Sequence, residues 1–165
     1  VGVFSVITDS YVFFWKGSIY SQWYPSPFEL DGMTFNCAEQ WMMVNKALLF
    51  GDEKMALKIM KTSSPAEQKR LGRKVAGFDF SVWEQHAKEI VYRGNYAKFT
   101  QDVDLKQRLL STGSRKFVEA SPADAVWGIG LTEQSAKQIP ETEWPGKNWL
   151  GIVLTRLRDD LHAGE

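Results

Sequence analysis

The sequence lacks the residues that define several common classes of protein. It has one cysteine, Cys37, and two histidines, His86 and His162, among 165 residues. One chain therefore forms no disulfide, and nothing is spaced to hold a structural zinc ion. Without disulfides, a reducing compartment such as the cytoplasm is expected. The sequence predicts no metal and no cofactor.

Membrane and secretion signals are also missing. No apolar run approaches the length of a membrane span, and residues 1–10 lack a basic region ahead of an apolar run. The charge is balanced, with 20 basic and 20 acidic residues, whereas nonspecific binding to phosphate backbones needs a basic excess. We therefore expect no membrane partner.

Motifs of the familiar hydrolases are absent as well. There is no Gly-x-Ser-x-Gly elbow, no phosphate-binding loop and no His-Glu-x-x-His pair, and Cys37 has no evident catalytic histidine. Internal repeats and low-complexity linkers are missing too. These absences exclude serine hydrolases, P-loop nucleotide hydrolases and zinc proteases.

What the chain does have is material for a core. Hydrophobic residues make up 44% and aromatics 13%, with seven Trp and ten Phe. This length suits one domain. We predict a mainly α, compact single-domain fold with a few short strands, two of them at Tyr11–Trp15 and Lys116–Ala120. The domain is expected to span residues 12–165, after an N-terminal extension at residues 1–11.

Helix signals follow the first strand. Asn36 is expected to cap the first helix, with Glu39 completing a capping box, and Gly94 is expected to weaken the long fourth helix. Apolar periodicity and capping residues place the predicted helices at residues 36–51, 52–61, 64–72, 81–100, 102–112 and 149–162.

Glu39 and Lys46 form the first candidate site. They lie seven residues apart, about two turns along one helix face. In one interpretation Glu39 is a cap and Lys46 reaches solvent. In the other, they face an aromatic-lined cleft, where a desolvated carboxylate serves as acid or base and a desolvated amine attacks an opened sugar aldehyde.

Basic and aromatic residues give further candidates. Lys69, Arg70 and Arg73 form either a solvated face or a phosphate clamp. Trp83 either packs in the core or stacks on a base.

The segment from Glu119 to Gly130 is dense in polar residues and glycine. Asp124 either caps a helix or serves the site, and Gly128 permits close backbone approach to a ligand. Asn148 begins the last helix, whose first amides suit an anion but also resemble any helix start.

Several segments together resemble the NADAR family (named for NAD and ADP-ribose), which includes YbiA-like bacterial N-glycosidases. They cover nearly all of the chain from about Phe14 and occur in the family's order. The matching segments are Ser21–Phe28, Phe35–Trp41, Asn45–Ala47, Lys69–Arg73, Trp83, Ala97–Phe99, Leu109–Gly113, Val118–Asp124, Trp127–Gly130 and Trp144–Gly151.

The resemblance implies a mostly helical fold and hydrolysis of the C1′–N bond of a phosphorylated ribosyl compound. Relatives cleave early phosphorylated riboflavin intermediates or remove ADP-ribose from guanine. Glu39, Trp83 and Asp124 match functionally implicated positions, and Lys46 matches a lysine that is a candidate for attack on C1′. The chain departs from many relatives at Gln22, where Asn is common, and at Gln40, where His is frequent.

The expected roles follow from that resemblance. Glu39 serves as acid or base, Asp124 positions ribose or water, and Trp83 stacks on the base. Arg73 and Lys98 hold phosphate. The other expected substrate-binding residues are Gln22, Glu119, Trp127, Gly128 and Asn148.

Three classes of function remain open from sequence. The partner is a phosphorylated ribosyl or ADP-ribosyl substrate, with ADP-ribosylated nucleic acid as a further possibility. The alternative to an enzyme is a non-catalytic module that binds ADP-ribose or a nucleotide, and the third class is a structural domain. An enzyme predicts one cleft that contains Glu39, Lys46, Trp83, Asp124 and Trp127.

Overall fold

A computed structural model describes residues 5–164 and confirms the mainly α fold. This part of the chain has seven α-helices and five short strands. None of its helices is both long and apolar enough to cross a membrane. In chain order the elements are β1 (Ser5–Ile7), β2 (Tyr11–Phe14), β3 (Phe28–Leu30), β4 (Met33–Phe35), α1 (Ala38–Leu49), α2 (Glu53–Met60), α3 (Pro65–Gly72), α4 (Phe80–Thr100), α5 (Val103–Leu110), β5 (Lys116–Glu119), α6 (Glu133–Ala136), a 3-10 turn (Glu141–Glu143) and α7 (Trp149–Ala163).

The chain divides into two compact units, residues 1–21 with 104–165 and residues 22–103. The first unit contains a three-stranded sheet in the order β1-β2-β5, with β1 antiparallel and β5 parallel to β2. Helix α7 lies tightly against β5. A Cβ on Gly151 would come within 2.1 Å of the Phe117 carbonyl oxygen, so only glycine permits this approach.

The second unit is built around α1, which packs against α2, α3 and α4. Trp41 is buried at this junction and donates its indole N–H to the carbonyl of Ile90 at 2.7 Å. A Cβ on Gly94 would lie 2.3 Å from the Trp41 ring. The expectation that Gly94 weakens α4 is therefore incomplete, because α4 needs glycine there to accommodate Trp41.

The starts of the helices can be compared with the predicted capping residues. The predicted caps of α2 and α3 are confirmed, since Asp52 accepts from the N–H of Met55 and Ser64 from that of Glu67. The predicted cap of α1 is wrong. Its N-cap is Cys37, and the Asn36 amide instead donates to the Ser63 carbonyl.

The predicted capping box at α1, with Glu39 as its second residue, is also wrong. Gln40, rather than Glu39, reaches back to accept from the backbone N–H of Asn36 at 2.8 Å. Gln40 therefore ties the first turn of α1 to the residue before its N-cap.

Two strands of the second unit were not predicted. β3 and β4 form an antiparallel hairpin around Asp31 and Gly32, both of which have positive φ (53° and 78°). Asp-Gly between short apolar runs is a known signal for such a turn. In the first unit, β1 lies within the predicted N-terminal extension, whose residues 1–4 lie outside the described residues. The domain limits stay a prediction.

Candidate functional site

Glu39 lies in the first turn of α1 and is 3% exposed. Its backbone N–H donates to the carbonyl of Gln22 at 2.9 Å, which ties the chain before β3 to the start of the helix. A carboxylate in a first helical turn is stabilised by the helix dipole. The sequence therefore places a buried acidic group at a defined point of the second unit.

Lys46 lies two turns further along α1 and is half-buried. Its ammonium nitrogen is 4.5 Å from the centre of the Phe78 ring and 5.9 Å from that of Trp83. Burial lowers the pKa of Lys46, Glu39 opposes that change, and Arg73 adds to it. The structure thus brings two predicted cations, one carboxylate and two aromatic rings into one electrostatic group, the Lys46 cluster (Glu39, Lys46, Arg73, Phe78 and Trp83).

The basic residues of α3 differ in their surroundings. Arg70 forms an exposed ion pair with Glu67 on the same helix. Arg73 follows the helix, is exposed, and is the one that acts on Lys46. Of the three residues of the predicted phosphate clamp, Arg73 is therefore the one that belongs to the Lys46 cluster.

Phe78 is a member of the cluster that the sequence did not single out. Its side chain is 43% exposed, whereas Trp83 is 5% exposed. The loop before it is fixed because the Asp52 carboxylate accepts from the backbone N–H of Ala76 at 2.8 Å. An exposed ring offers a face to a ligand and a buried ring does not, so Phe78 suits stacking better than Trp83. The sequence feature that could have indicated Phe78 is the turn residue Gly77 directly before it.

Gln22 is 6% exposed, and its backbone carbonyl accepts from the N–H of Glu39. Its side-chain oxygen accepts from the amide of Asn95 at 2.9 Å, and its amide nitrogen faces the sulfur of Met42 at 4.0 Å. Gln22 was predicted as a substrate-binding residue and Asn95 was not. Asn95 lies inside a long helix, where no motif marks it as functional.

Lys98 is 1% exposed, and burial lowers its pKa to about 7. Its nitrogen lies 4.9 Å from the Phe99 ring and 5.8 Å from that of Tyr24. A phosphate in solvent does not reach a lysine buried this way unless the surrounding residues move. The predicted phosphate contact stays a prediction.

In the first unit, Asp124 shapes a loop. One carboxylate oxygen accepts from the N–H groups of Val126 and Trp127, both at 2.9 Å. The Ser-Pro-Ala-Asp pattern leads to this turn, and the next helix begins only at Glu133. Trp127 packs edge-on against Trp149 with ring centres 5.3 Å apart.

Gly128 has a packing role in this loop. A Cβ there would lie 2.8 Å from the carbonyl oxygen of Asp124 and 2.9 Å from that of Glu119. The Glu119 carbonyl also accepts from Ile129. The close approach predicted for Gly128 is therefore to the chain's own backbone.

Asn148 begins α7 by position, but the prediction of a side-chain cap and free amides is wrong. Its backbone is left-handed (φ 53°), and its side chain accepts from Glu119 N–H and donates to the Phe117 carbonyl, both at 3.0 Å. The amides at the start of α7 donate to carbonyls of the loop between β5 and α6. These are Asn148 to Gly128, Trp149 to Val126 and Leu150 to Trp127. The Asn148 side chain therefore fastens α7 to β5.

A groove of about 600 Å³ in the first unit runs along α7 and β5, and its lining includes Lys116, Trp144, Asn148 and Arg156. Neither Asp124 nor Trp127 lines it. The described residues hold no group of three or more metal-ligating side chains. The Lys46 cluster is therefore the stronger candidate for chemistry, and the predicted cleft that adds Asp124 and Trp127 to it stays a prediction.

Comparison with known families gives this cluster a context. The family model of the NADAR domain matches residues 13–162. The chain belongs to the NADAR family.

Named relatives agree with that assignment. N-glycosidase R617 of Acanthamoeba polyphaga mimivirus is 48% identical over 93% of this chain and 97% of its own length. N-glycosidase YbiA of Escherichia coli is 33% identical over 82% of this chain and 76% of its own, and its NMR structure matches with a TM-score of 0.77, at 29% identity over 98% and 90% of the two chains. The maize chloroplastic riboflavin biosynthesis protein PYRR is 36% identical over 62% of this NADAR chain and 15% of its own length.

Proposed function

We propose that this NADAR protein hydrolyses the C1′–N bond of a phosphorylated ribosyl compound. It is an N-glycosidase, a hydrolase of N-glycosyl bonds, as its relatives from mimivirus and E. coli are named. The substrate is a ribosylaminopyrimidine phosphate of riboflavin synthesis or an ADP-ribosylated guanine. The name of the maize relative supports the first of these, and the balanced charge of the chain also favours a small metabolite.

The observation that carries the proposal is the position of Lys46, 4.5 Å from the Phe78 ring and on the same helix as the buried Glu39. A buried carboxylate suits proton transfer, an amine with a lowered pKa suits nucleophilic attack, and an exposed guanidinium suits a phosphate. The first two groups suit cleavage of the C1′–N bond, and the third suits the phosphate of the substrate. A module that only binds anions gains little from a buried acid.

In the simpler route, Glu39 acts with water. The bond from C1′ to the base nitrogen breaks, the electron pair leaves with the base, and the ribose gains oxocarbenium character that a carboxylate stabilises. Water supplies its oxygen to C1′ and a proton to the departing nitrogen. Asp124 is proposed to help order the ribose or water.

In the second route, Lys46 acts as nucleophile on a ribose whose ring has opened to an imine. Its neutral amine adds to C1′, and its two protons pass to the base nitrogen, the second by way of Glu39, so that the base leaves as a neutral amine and a lysine imine remains. Water then hydrolyses that imine, which releases the sugar aldehyde and restores the amine. The lowered pKa of Lys46 raises the fraction of neutral amine.

The first experiment is a mass-spectrometric screen. Wild-type protein and Glu39→Gln are each incubated with ribosylaminopyrimidine phosphates and with an ADP-ribosylated guanosine oligonucleotide. We expect the wild type alone to release free base or free ADP-ribose, and the substrate that reacts identifies the class. Failure to cleave either, with ADP-ribose binding by calorimetry, would replace the enzyme by a non-catalytic reader.

A further inference from the structure

Two buried amides of the second unit, Asn95 and Gln22, are poorly satisfied, and the Gln22 backbone carbonyl accepts from the N–H of Glu39. Asn95, on α4, is fully buried, and its side-chain oxygen has no hydrogen-bond partner among residues 5–164. Gln22 directs its amide N–H groups toward the sulfur of Met42 at 4.0 Å, and a thioether is a weak acceptor. Buried polar groups are nearly always hydrogen-bonded, so two weakly satisfied amides in contact need an explanation.

The bond between them fixes which end of Gln22 faces where. Asn95 donates to the Gln22 side-chain oxygen and also to the Val91 carbonyl, each at 2.9 Å. With its oxygen held by this donor, the Gln22 carboxamide turns its N–H side away from Asn95. That side points to Met42, which lies on α1 between Glu39 and Lys46.

We propose that Asn95 is a positioning residue that makes Gln22 present a hydrogen-bond donor to the substrate. This inference rests on the proposed function. The group that Gln22 binds is an acceptor oxygen or nitrogen of the ribosyl substrate. That acceptor replaces the weak contact with the Met42 sulfur when substrate binds. A donor at the same place on a competing compound meets a donor and is rejected.

The test reverses the orientation of the Gln22 side-chain amide. In Asn95→Asp the new carboxylate only accepts, so Gln22 must turn its N–H groups toward residue 95 and its oxygen toward the substrate. We expect KM to rise about tenfold on whichever of the two screened substrates the wild type cleaves, with kcat within about threefold. Asn95→Leu, which removes the donor without adding charge, is expected to raise KM severalfold.

A double-mutant cycle separates positioning from general damage. When Asn95→Asp is added to Gln22→Met, KM is expected to equal that of Gln22→Met alone, since residue 22 then has no carboxamide to reorient. The matched control is Gln68→Glu, the same amide-to-acid change at an equally buried residue that bonds Asn36 and Thr62. It is expected to lower the melting temperature without raising KM. A KM for Asn95→Asp within twofold of wild type, or an equal rise in the Gln22→Met background, overturns the proposal.

A readout without activity distinguishes this inference from failure of the proposed function. In protein labelled with ¹⁵N-glutamine, the Gln22 side-chain amide is assigned by its loss in Gln22→Met. Its protons are expected to move downfield in Asn95→Asp, where they donate to a carboxylate, and to exchange faster with water in Asn95→Leu. An amide unchanged in both variants shows that Asn95 does not set its orientation, whether or not the wild type cleaves either substrate.

Discussion

Two groups of residues that the sequence marks as functional differ in what their side chains contact. In the Lys46 cluster, charges act on one another and on aromatic rings. In the segment with Asp124 and Asn148, the polar side chains bond the chain's own backbone and hold a loop and α7 in place. Both patterns look alike in sequence, because caps and catalytic groups use the same residue types.

This difference predicts two kinds of mutational outcome. Changes in the Lys46 cluster are expected to reduce catalysis more than stability, because Lys46 contacts aromatic rings and neighbouring charges. Changes at Asn148 are expected to reduce stability first.

The largest effect is expected at Glu39. Glu39→Gln keeps the shape of the side chain but removes its charge and its role in proton transfer, so kcat should fall by about 10²- to 10⁴-fold. Glu67→Gln is the matched control, since Glu67 also lies in the first turn of a helix but pairs with an exposed arginine. Steady-state kinetics and thermal melts decide the case. A Glu39→Gln enzyme with near wild-type kcat would reduce this residue to a structural role.

Lys46 is expected to give the next largest effect. Lys46→Met should lower kcat at least about 100-fold, and borohydride added during turnover should trap a sugar on Lys46 of the wild type. Because the neutral amine attacks, the rate should rise with pH through the lowered pKa of Lys46. Arg73 contributes to that lowering, so Arg73→Ala should move this limb to higher pH.

Mass spectrometry of the trapped protein and pH–rate profiles check these statements. A wild type that turns over in borohydride without forming an adduct would leave the direct route through Glu39. A limb that stays in place in Arg73→Ala would show that another group titrates.

Much of the fold could be predicted because local signals set it. Ser64 followed by Pro65 and Glu67 marks a helix start by itself, and α3 begins there. The cap of α1 failed for a tertiary reason: Asn36 bonds Ser63 and Gln68, residues far along the chain. The hairpin at Asp31 and Gly32 also has a local signal in the sequence, because Asp-Gly between short apolar runs is typical of a tight turn.

The candidate site was predictable in part. Glu39 and Lys46 share a helix, so their spacing placed them on one face. Phe78 contacts Lys46, and Asn95 contacts Gln22, through packing between separate elements, which no spacing rule predicts. Gly94 illustrates the same limit, since propensity alone ranks it as a weak helix residue and the Trp41 ring decides otherwise.

Asn148 is expected to show the opposite behaviour to the cluster. Asn148→Ala removes two hydrogen bonds to β5 and leaves a non-glycine residue at φ 53°, so unfolding free energy should fall by about 2–3 kcal/mol. Asn148→Gly loses the same bonds without backbone strain and should fall by about 1 kcal/mol less. Urea unfolding measures both. Equal losses would remove the backbone argument, and unchanged stability with lost activity would return Asn148 to the binding site.

Asp124 is expected to give the smallest effect and to sharpen the division most. Asp124→Asn keeps an oxygen that accepts from Val126 and Trp127, so the loop should persist and stability should change by less than about 1 kcal/mol. If Asp124 only helps order ribose or water, kcat/KM should fall less than about tenfold, far less than in Glu39→Gln. A loss as large as that of Glu39→Gln with an intact loop would make Asp124 a catalytic partner, because only its negative charge would then have been removed.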